Sequence, residues 1–283
     1  PSTNISLQDF RNHLELLREH DFSVLTLGEI VERLQTGENL PERCAAITVD
    51  DAFRTFLTDG WPLLKEFGYP ATLFVSTDSV GGGDYLSWQE LKRLADEGVE
   101  IGNHSAAHAY MLDNFKRIDW RQEVKGDLER SQAAFIRNIG YSPSLFAYPY
   151  GEYSPELIDL VKQAGFIAAF GQQSGVIASG SDLYSLPRFP MGAGYTNLDG
   201  FRSKLFMKHL PVVVVTPKSP LITEENPPKL KFYLKESNAS EGTLQCFVAG
   251  QAECQLNVLD KNIPVYEVRA ESPLRGRRGK YTL

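Results

Sequence analysis

Cysteine is scarce in this chain: three in 283 residues, at positions 44, 246 and 254. That is too few for a disulfide-stapled scaffold, and at most one internal bridge can form. No apolar run reaches the length of a bilayer span, and no signal-peptide pattern opens the sequence. The chain begins at Pro1 without methionine, so the missing signal carries no information on compartment. Positive charge is also in deficit, with 29 Lys and Arg against 36 Asp and Glu and a net charge of −7. This weighs against nucleic acid or an anionic membrane as the main partner. The one basic cluster, Arg275, Arg277, Arg278 and Lys280, lies among glycines near the C-terminus and reads as a solvated tail, with an anion-binding patch as the alternative. A glycine-rich phosphate loop is missing, and no convincing helix signal follows residue 210.

The rest of the composition is that of an ordinary globular protein, 42% hydrophobic and 23% charged, long enough to bury a full core. Helix and strand signals alternate through the first two thirds. Ser6-Leu7-Gln8-Asp9, Thr26-Leu27-Gly28-Glu29 and Ser87-Trp88-Gln89-Glu90 read as capping boxes, and Ser154-Pro155 as a helix start. Helices are expected to end near His20 and Glu97, and a long one over residues 120–138. Residues 53–67 read as helical with a break or kink at Pro62. Strands are expected at residues 22–25, 45–49, 72–75, 99–102, 145–148 and 166–170. Such repeats predict parallel strands covered by helices. A distorted (β/α) barrel is favoured over an open doubly wound sheet, because three well-separated strand ends carry polar residues.

After residue 210, prolines 217, 220, 227 and 228 separate short apolar runs, which predicts a small all-β, sandwich-like module over residues 211–283 following a catalytic domain over residues 1–210. Cys246 and Cys254 flank Gly250 in two runs that read as a hairpin, and a disulfide between them would imply an oxidising compartment. An unpaired core role fits them equally well. Cys44 reads as a small buried residue.

The chemistry concentrates at strand ends. Ala45-Ala46-Ile47-Thr48-Val49 ends in Asp50-Asp51, and a later apolar run ends in His104-Ser105-Ala106-Ala107-His108. Two histidines at this spacing can turn to one ion, and a carboxylate completes a divalent-metal site. Neighbouring residues at a strand end point in different directions. Asp51 is therefore assigned to the metal, and Asp50 to the base that takes a proton from the attacking water. A tetrahedral intermediate also needs donors for its oxyanion, and amides of the Pro149-Tyr150-Gly151 turn are candidates. Two histidines and a carboxylate equally describe an iron(II) oxygenase triad; the parallel-strand pattern and the spare aspartate weigh against it. Tyr85, Trp88, Tyr110, Trp120, Tyr150, Tyr153 and Tyr195 are candidates for sugar stacking, with core or rim packing as the plainer reading.

Thr48-Val49-Asp50-Asp51, His104-Ser105-Ala106-Ala107-His108 and Tyr148-Pro149-Tyr150-Gly151, in that order, resemble the first three motifs of the polysaccharide deacetylases, the NodB-homology or carbohydrate esterase family 4 group. The wording around Tyr150 is similar to the branch acting on bacterial exopolysaccharides. The resemblance implies a distorted (β/α) barrel, Zn2+ or another divalent transition ion, an acetylated polysaccharide or oligosaccharide as partner, and a periplasmic or secreted location. By that likeness Asp50 is the base, Asp51, His104 and His108 are ligands, and Tyr150 gives an oxyanion amide.

The chain also departs from the family pattern. The arginine usually found two residues before the motif's proline is replaced by Ala147, and Arg188, from Leu186-Pro187-Arg188-Phe189-Pro190, is the candidate to supply its charge. The later Asp/Trp and Leu-x-His motifs are not evident. His209 is the only histidine after the third motif, a candidate acid or a plain surface residue. No opening strand with a Tyr-His pair is seen, so the barrel's first strand is expected to be missing. These departures keep open a carbohydrate-binding protein that retains the metal site with weak or no turnover, and an O-acetyl esterase.

Overall fold

A computed structural model describes residues 4–223, 225–235, 244–251, 254–260 and 265–283. The chain divides into two units, Pro1–Lys208 and His209–Leu283. In chain order the first contains α1 (Leu7–Glu19), β1 (Ser23–Val24), α2 (Leu27–Thr36), β2 (Cys44–Ala45), β3 (Thr48–Val49), α3 (Trp61–Phe67), β4 (Thr72–Val75), α4 (Trp88–Asp96), β5 (Glu100–Asn103), α5 (Trp120–Ile139), β6 (Leu145–Ala147), α6 (Pro155–Gln163), β7 (Ala168–Phe170) and α7 (Leu198–Leu205).

Helices start where a side-chain oxygen can take an orphan amide. Thr26 and Ser87 accept the amides of Glu29 and Glu90, whose carboxylates return bonds to the cap amides, so α2 and α4 open on full capping boxes. At α1 only half of the expected box forms. Ser6 accepts the Asp9 amide, but the Asp9 carboxylate bonds the Ser6 hydroxyl instead of its backbone, aspartate being one methylene shorter than glutamate. The break expected at Pro62 is a beginning: Phe56–Gly60 forms a wider π turn, and Pro62 falls in the first turn of α3, where a missing amide costs no bond. α7, capped by Asn197, lies where no helix is predicted.

Strands β3 to β7 form one parallel sheet in chain order, curled with its covering helices into the expected distorted (β/α) barrel. The single strand expected over residues 45–49 is two pieces, β2 paired with β1 and β3 paired with β4. Side chains of β4 alternate between two cores. Leu73 and Val75 pack with α1, α3 and α4, while Phe74 packs with Leu145, Ala147, Ala168, Phe170 and Leu186. All four β4 residues are fully buried, as a strand covered on both faces must be. Opposite Phe74 in the sheet stands Gly102, where a Cβ would come within 2.4 Å of the Phe74 ring. That glycine lets the ring lie across β5, under the strand ends that carry the polar residues.

Among the described residues the second unit is all-β. β8 (Val212–Thr216), β9 (Leu230–Leu234), β11 (Cys254–Asp260) and β12 (Val265–Ala270) form an antiparallel sheet in the order β11-β12-β9-β8 around Phe232, Tyr266 and Val268, and β10 (Phe247–Val248) pairs with β13 (Tyr281–Thr282). Cys246 and Cys254 are bonded. Their two runs do not form the expected hairpin, however. β10 takes β13 as its partner and β11 takes β12, so the disulfide ties the residue just before β10 to the first residue of β11, which belongs to another sheet.

Candidate active site

Asp50 and Asp51 follow β3 directly, and the chain turns sharply there, with φ of 72° at Asp51 and 59° at Ala52. L-residues rarely adopt this left-handed region. The turn separates the two carboxylates. Asp51 faces the histidines, with its Oδ1 3.7 Å from His104 Nε2 and 3.2 Å from His108 Nε2. Asp50 faces Arg188, whose Nη1 and Nη2 donate to Oδ1 and Oδ2 at 2.7 and 2.9 Å. A planar guanidinium matched to both carboxylate oxygens is a strong, orienting pair.

Arg188 reaches the site because residue 186 extends the sheet. Leu186 bridges Phe170 in parallel, its amide donating to the Ala169 carbonyl and its own carbonyl accepting the Gly171 amide. The Arg188 side chain is then fixed along its length. Nε donates to the Gly171 carbonyl at 2.9 Å, Nη1 also donates to Thr48 Oγ1 at 3.2 Å, and the guanidinium lies 5.4 Å from the Phe74 ring centre. Burial pushes the Asp50 carboxyl up, but the Arg188 charge and fork, with His104 and His108, outweigh it and hold the group at about 2. Asp50 is therefore an anion at neutral pH.

His104 is fully buried, and its Nδ1 lies 2.7 Å from the Ala147 carbonyl. A carbonyl only accepts, so Nδ1 carries the hydrogen and Nε2 presents its lone pair toward Asp51. Burial, reinforced by the neighbouring His108, lowers the pKa of His104, which keeps the ring neutral and ligand-ready. Ala147, where an arginine would stand in the family pattern, thus contributes through its backbone.

The donor set fits a divalent transition ion. The three ligand atoms of Asp51, His104 and His108 lie within 4.8 Å of one another. Donors sharing one tetrahedral zinc sit roughly 3.3 Å apart, a value that the 3.7 and 3.2 Å separations from Asp51 straddle.

Tyr150 completes the cluster. Its backbone is left-handed, with φ of 58°. Its ring meets His108 edge-on at 4.6 Å and stacks on Tyr110 at 3.7 Å between centroids. The following Gly151 is required: at φ +72° a Cβ would come within 2.4 Å of the Gln172 Cβ and 2.5 Å of the Gln172 amide nitrogen.

Of the other aromatic candidates, Tyr85 stacks on Phe53, Trp88 packs edge-on against Phe135, and Trp120 is buried, donating to the Met111 carbonyl. Tyr153 accepts a bond from Gln173, and Tyr195 is exposed. His209 is exposed at the start of the second unit. One group near the site has no local signal in the sequence. Asp127, on α5, accepts the amides of Ala106 and Ala107, between the two histidines.

Residues 37–169 match the family model described as polysaccharide deacetylase. A poly-beta-1,6-N-acetyl-D-glucosamine N-deacetylase of Staphylococcus aureus is 28% identical over 194 residues, covering 65% of this chain and 67% of that protein. Two solved structures share the fold. IcaB from Ammonifex degensii has a TM-score of 0.64 at 24% identity, covering 72% of this chain and 91% of that one. The Streptococcus pyogenes deacetylase PplD, solved with acetate, has a TM-score of 0.64 at 17% identity, covering 71% and 89%.

Proposed function

We propose, from the match of residues 37–169 to the polysaccharide deacetylase family model, that the chain is a metal-dependent hydrolase removing N-acetyl groups from an N-acetylhexosamine polymer. The substrate class follows the staphylococcal relative, which is named for poly-beta-1,6-N-acetyl-D-glucosamine. The observation that carries the reading is the division of labour between two adjacent carboxylates. Asp51 lies with His104 and His108 in one donor cluster, while Asp50 is held apart by Arg188.

A zinc or similar ion held by Asp51, His104 and His108 would supply Lewis-acid polarisation and a water of lowered pKa. Asp50 would accept a proton from the attacking water as the water oxygen adds to the acetyl carbonyl carbon. The Arg188 fork uses one lone pair of each Asp50 oxygen and leaves the others for the proton. The Tyr150 amide donates to the developing oxyanion. The C–N bond then breaks, the sugar nitrogen takes the proton that Asp50 removed from the water, directly or through solvent, and acetate leaves.

Arg188 also bears on the binding-only alternative. That reading drew on the missing arginine, and a guanidinium at Asp50 supplies the same charge from another strand end. A periplasmic or secreted location is supported by the Cys246–Cys254 bond, and no described helix is long and apolar enough to cross a membrane.

Acetate release from a poly-β-1,6-N-acetylglucosamine oligomer, measured with and without zinc, tests the proposal. An O-acetylated xylan in parallel distinguishes amide from ester cleavage. Release from the first that stops with chelator and in Asp50→Asn is the expected result. Glycan binding without acetate release from either substrate would overturn it.

A further inference from the structure

The loop between the two histidines takes a conformation that L-residues avoid, with φ of 68° at Ser105 and 49° at His108. Every amide along it is nevertheless occupied by a side-chain oxygen. Asn103 Oδ1 takes the Ser105 amide at 2.8 Å, Asp127 Oδ1 and Oδ2 take those of Ala106 and Ala107 at 2.9 and 3.0 Å, and Ser105 Oγ takes that of His108 at 3.0 Å. The carbonyls of Ser105 and Ala106 accept the amides of Thr77 and Asp78.

Two of these four amides depend on a residue far away in sequence. Asp127 is largely buried and is itself steadied by Arg130, which donates to it at 3.0 Å and to Asp78 at 3.1 Å. One turn further along α5, Ser131 accepts from the Asn103 side chain at 2.9 Å. His104 is pinned separately, through Nδ1 to Ala147. The His108 ring faces Asp51 and meets Tyr150 edge-on, and its backbone is placed by the loop, its amide donating to Ser105 Oγ.

We infer that Asp127 is a positioning residue for the metal centre: its carboxylate, by holding the amides of Ala106 and Ala107, sets the His108 ring relative to His104 and Asp51 before an ion arrives. The inference rests on the metal reading of those three residues. Preorganised ligands bind more tightly than ligands that must be gathered, and groups behind the ligands typically alter metal affinity by about 10–100-fold. Asparagine in place of Asp127 keeps one acceptor and turns an N–H toward the other amide, donor against donor.

Zinc affinity is measured by competition with a chromophoric chelator on metal-free protein, together with the visible spectrum of the cobalt-loaded form. Asp127→Asn is expected to weaken zinc binding by about 10–100-fold and to alter the cobalt bands. Trp61→Phe, which removes a hydrogen bond from α3 to Glu97 at the end of α4, is expected to lower the melting temperature and leave both readouts unchanged. If Asp127→Asn does not fold, Arg130→Gln, which leaves the carboxylate but frees it, is expected to weaken binding in the same direction. Equal zinc affinity and an unchanged cobalt spectrum in the folded variant overturn the inference and spare the metal reading. A parent protein that binds no zinc overturns both.

Discussion

Arg188 grips Asp50 through two parallel hydrogen bonds across a sequence separation of 138 residues. The pair settles a competition. Burial alone would favour the protonated acid, and the guanidinium keeps the carboxylate charged. Arg188→Met should therefore raise the Asp50 pKa from about 2 toward the higher value that burial dictates. The sign follows directly: the base fills with a proton at a higher pH, so the acid limb of the rate profile moves up. We expect acetate release to fall by about 10²-fold or more near neutral pH, within the range usual for general bases. Arg188→Lys keeps the charge but loses the fork and should fall in between. A pH–rate profile whose acid limb is unmoved in Arg188→Met would contradict this.

On the proposed mechanism, Asp50→Asn removes the proton acceptor while preserving shape. The turnover number should drop by about 10²–10⁴-fold. Zinc affinity should stay near that of the parent, because the three donors of the cluster are other residues. Parallel kinetics and metal titration check both halves, and a variant that turns over at the parent rate would remove Asp50 from the chemistry.

Metal removal should abolish acetate release, with recovery on adding zinc or cobalt. It should also lower the melting temperature, because an ion that binds only the folded chain stabilises it by about 2.7 kcal/mol at a free concentration a hundred times its dissociation constant. Differential scanning fluorimetry across a zinc series reads this, and a flat melting temperature would count against a site at Asp51, His104 and His108.

These residues differ in how far the sequence alone exposes them. Asp50-Asp51 and His104…His108 are legible because each pair is local and sits at the end of an apolar run, so strand and loop geometry does the rest. Arg188 is legible only as a candidate, since nothing short-range ties it to Asp50; the tie is the bridge of Leu186 to Phe170. Asp127 is not legible at all. On α5 it reads as one more charged helix position, and its role depends on which loop packs over that turn. The same limit explains the second unit. The spacing of Cys246 and Cys254 is readable, but strand partners are chosen by the whole module, and β10 pairs with β13 across the intervening chain.

Gly151→Ala tests the third strand end. The position combines a left-handed backbone with a Cβ-to-Cβ approach of 2.4 Å to Gln172, so alanine must displace either the Tyr150 turn or the segment after β7. Left-handed strain in a non-glycine residue costs about 1–3 kcal/mol, and the clash adds to it. The melting temperature should fall, and activity should fall further than stability explains, because the Tyr150 amide moves with the turn. A variant with parent melting temperature and parent turnover would show that the turn has slack.

Glu97 gives a prediction about stability away from the site. Its carboxylate accepts from Trp61 Nε1 at 2.8 Å, Lys65 Nζ at 2.9 Å and Arg93 Nε at 2.8 Å. These bonds, the one from Lys65 foremost, lower its pKa from 4.5 to about 2. A carboxyl with a depressed folded pKa adds stability that is present in full above its unfolded value and is lost as pH falls through the folded one. Glu97→Gln should therefore be less stable than the parent at pH 7, and the gap should narrow on acidification between about 4.5 and about 2. The side chain is about a quarter exposed, so water and salt screen part of the effect and added salt should shrink the gap. Urea unfolding of both proteins at several pH values reads the difference directly. A gap that is constant from pH 7 down to the acid limit of folding would mean that Glu97 contributes through packing of its stem rather than through its charge.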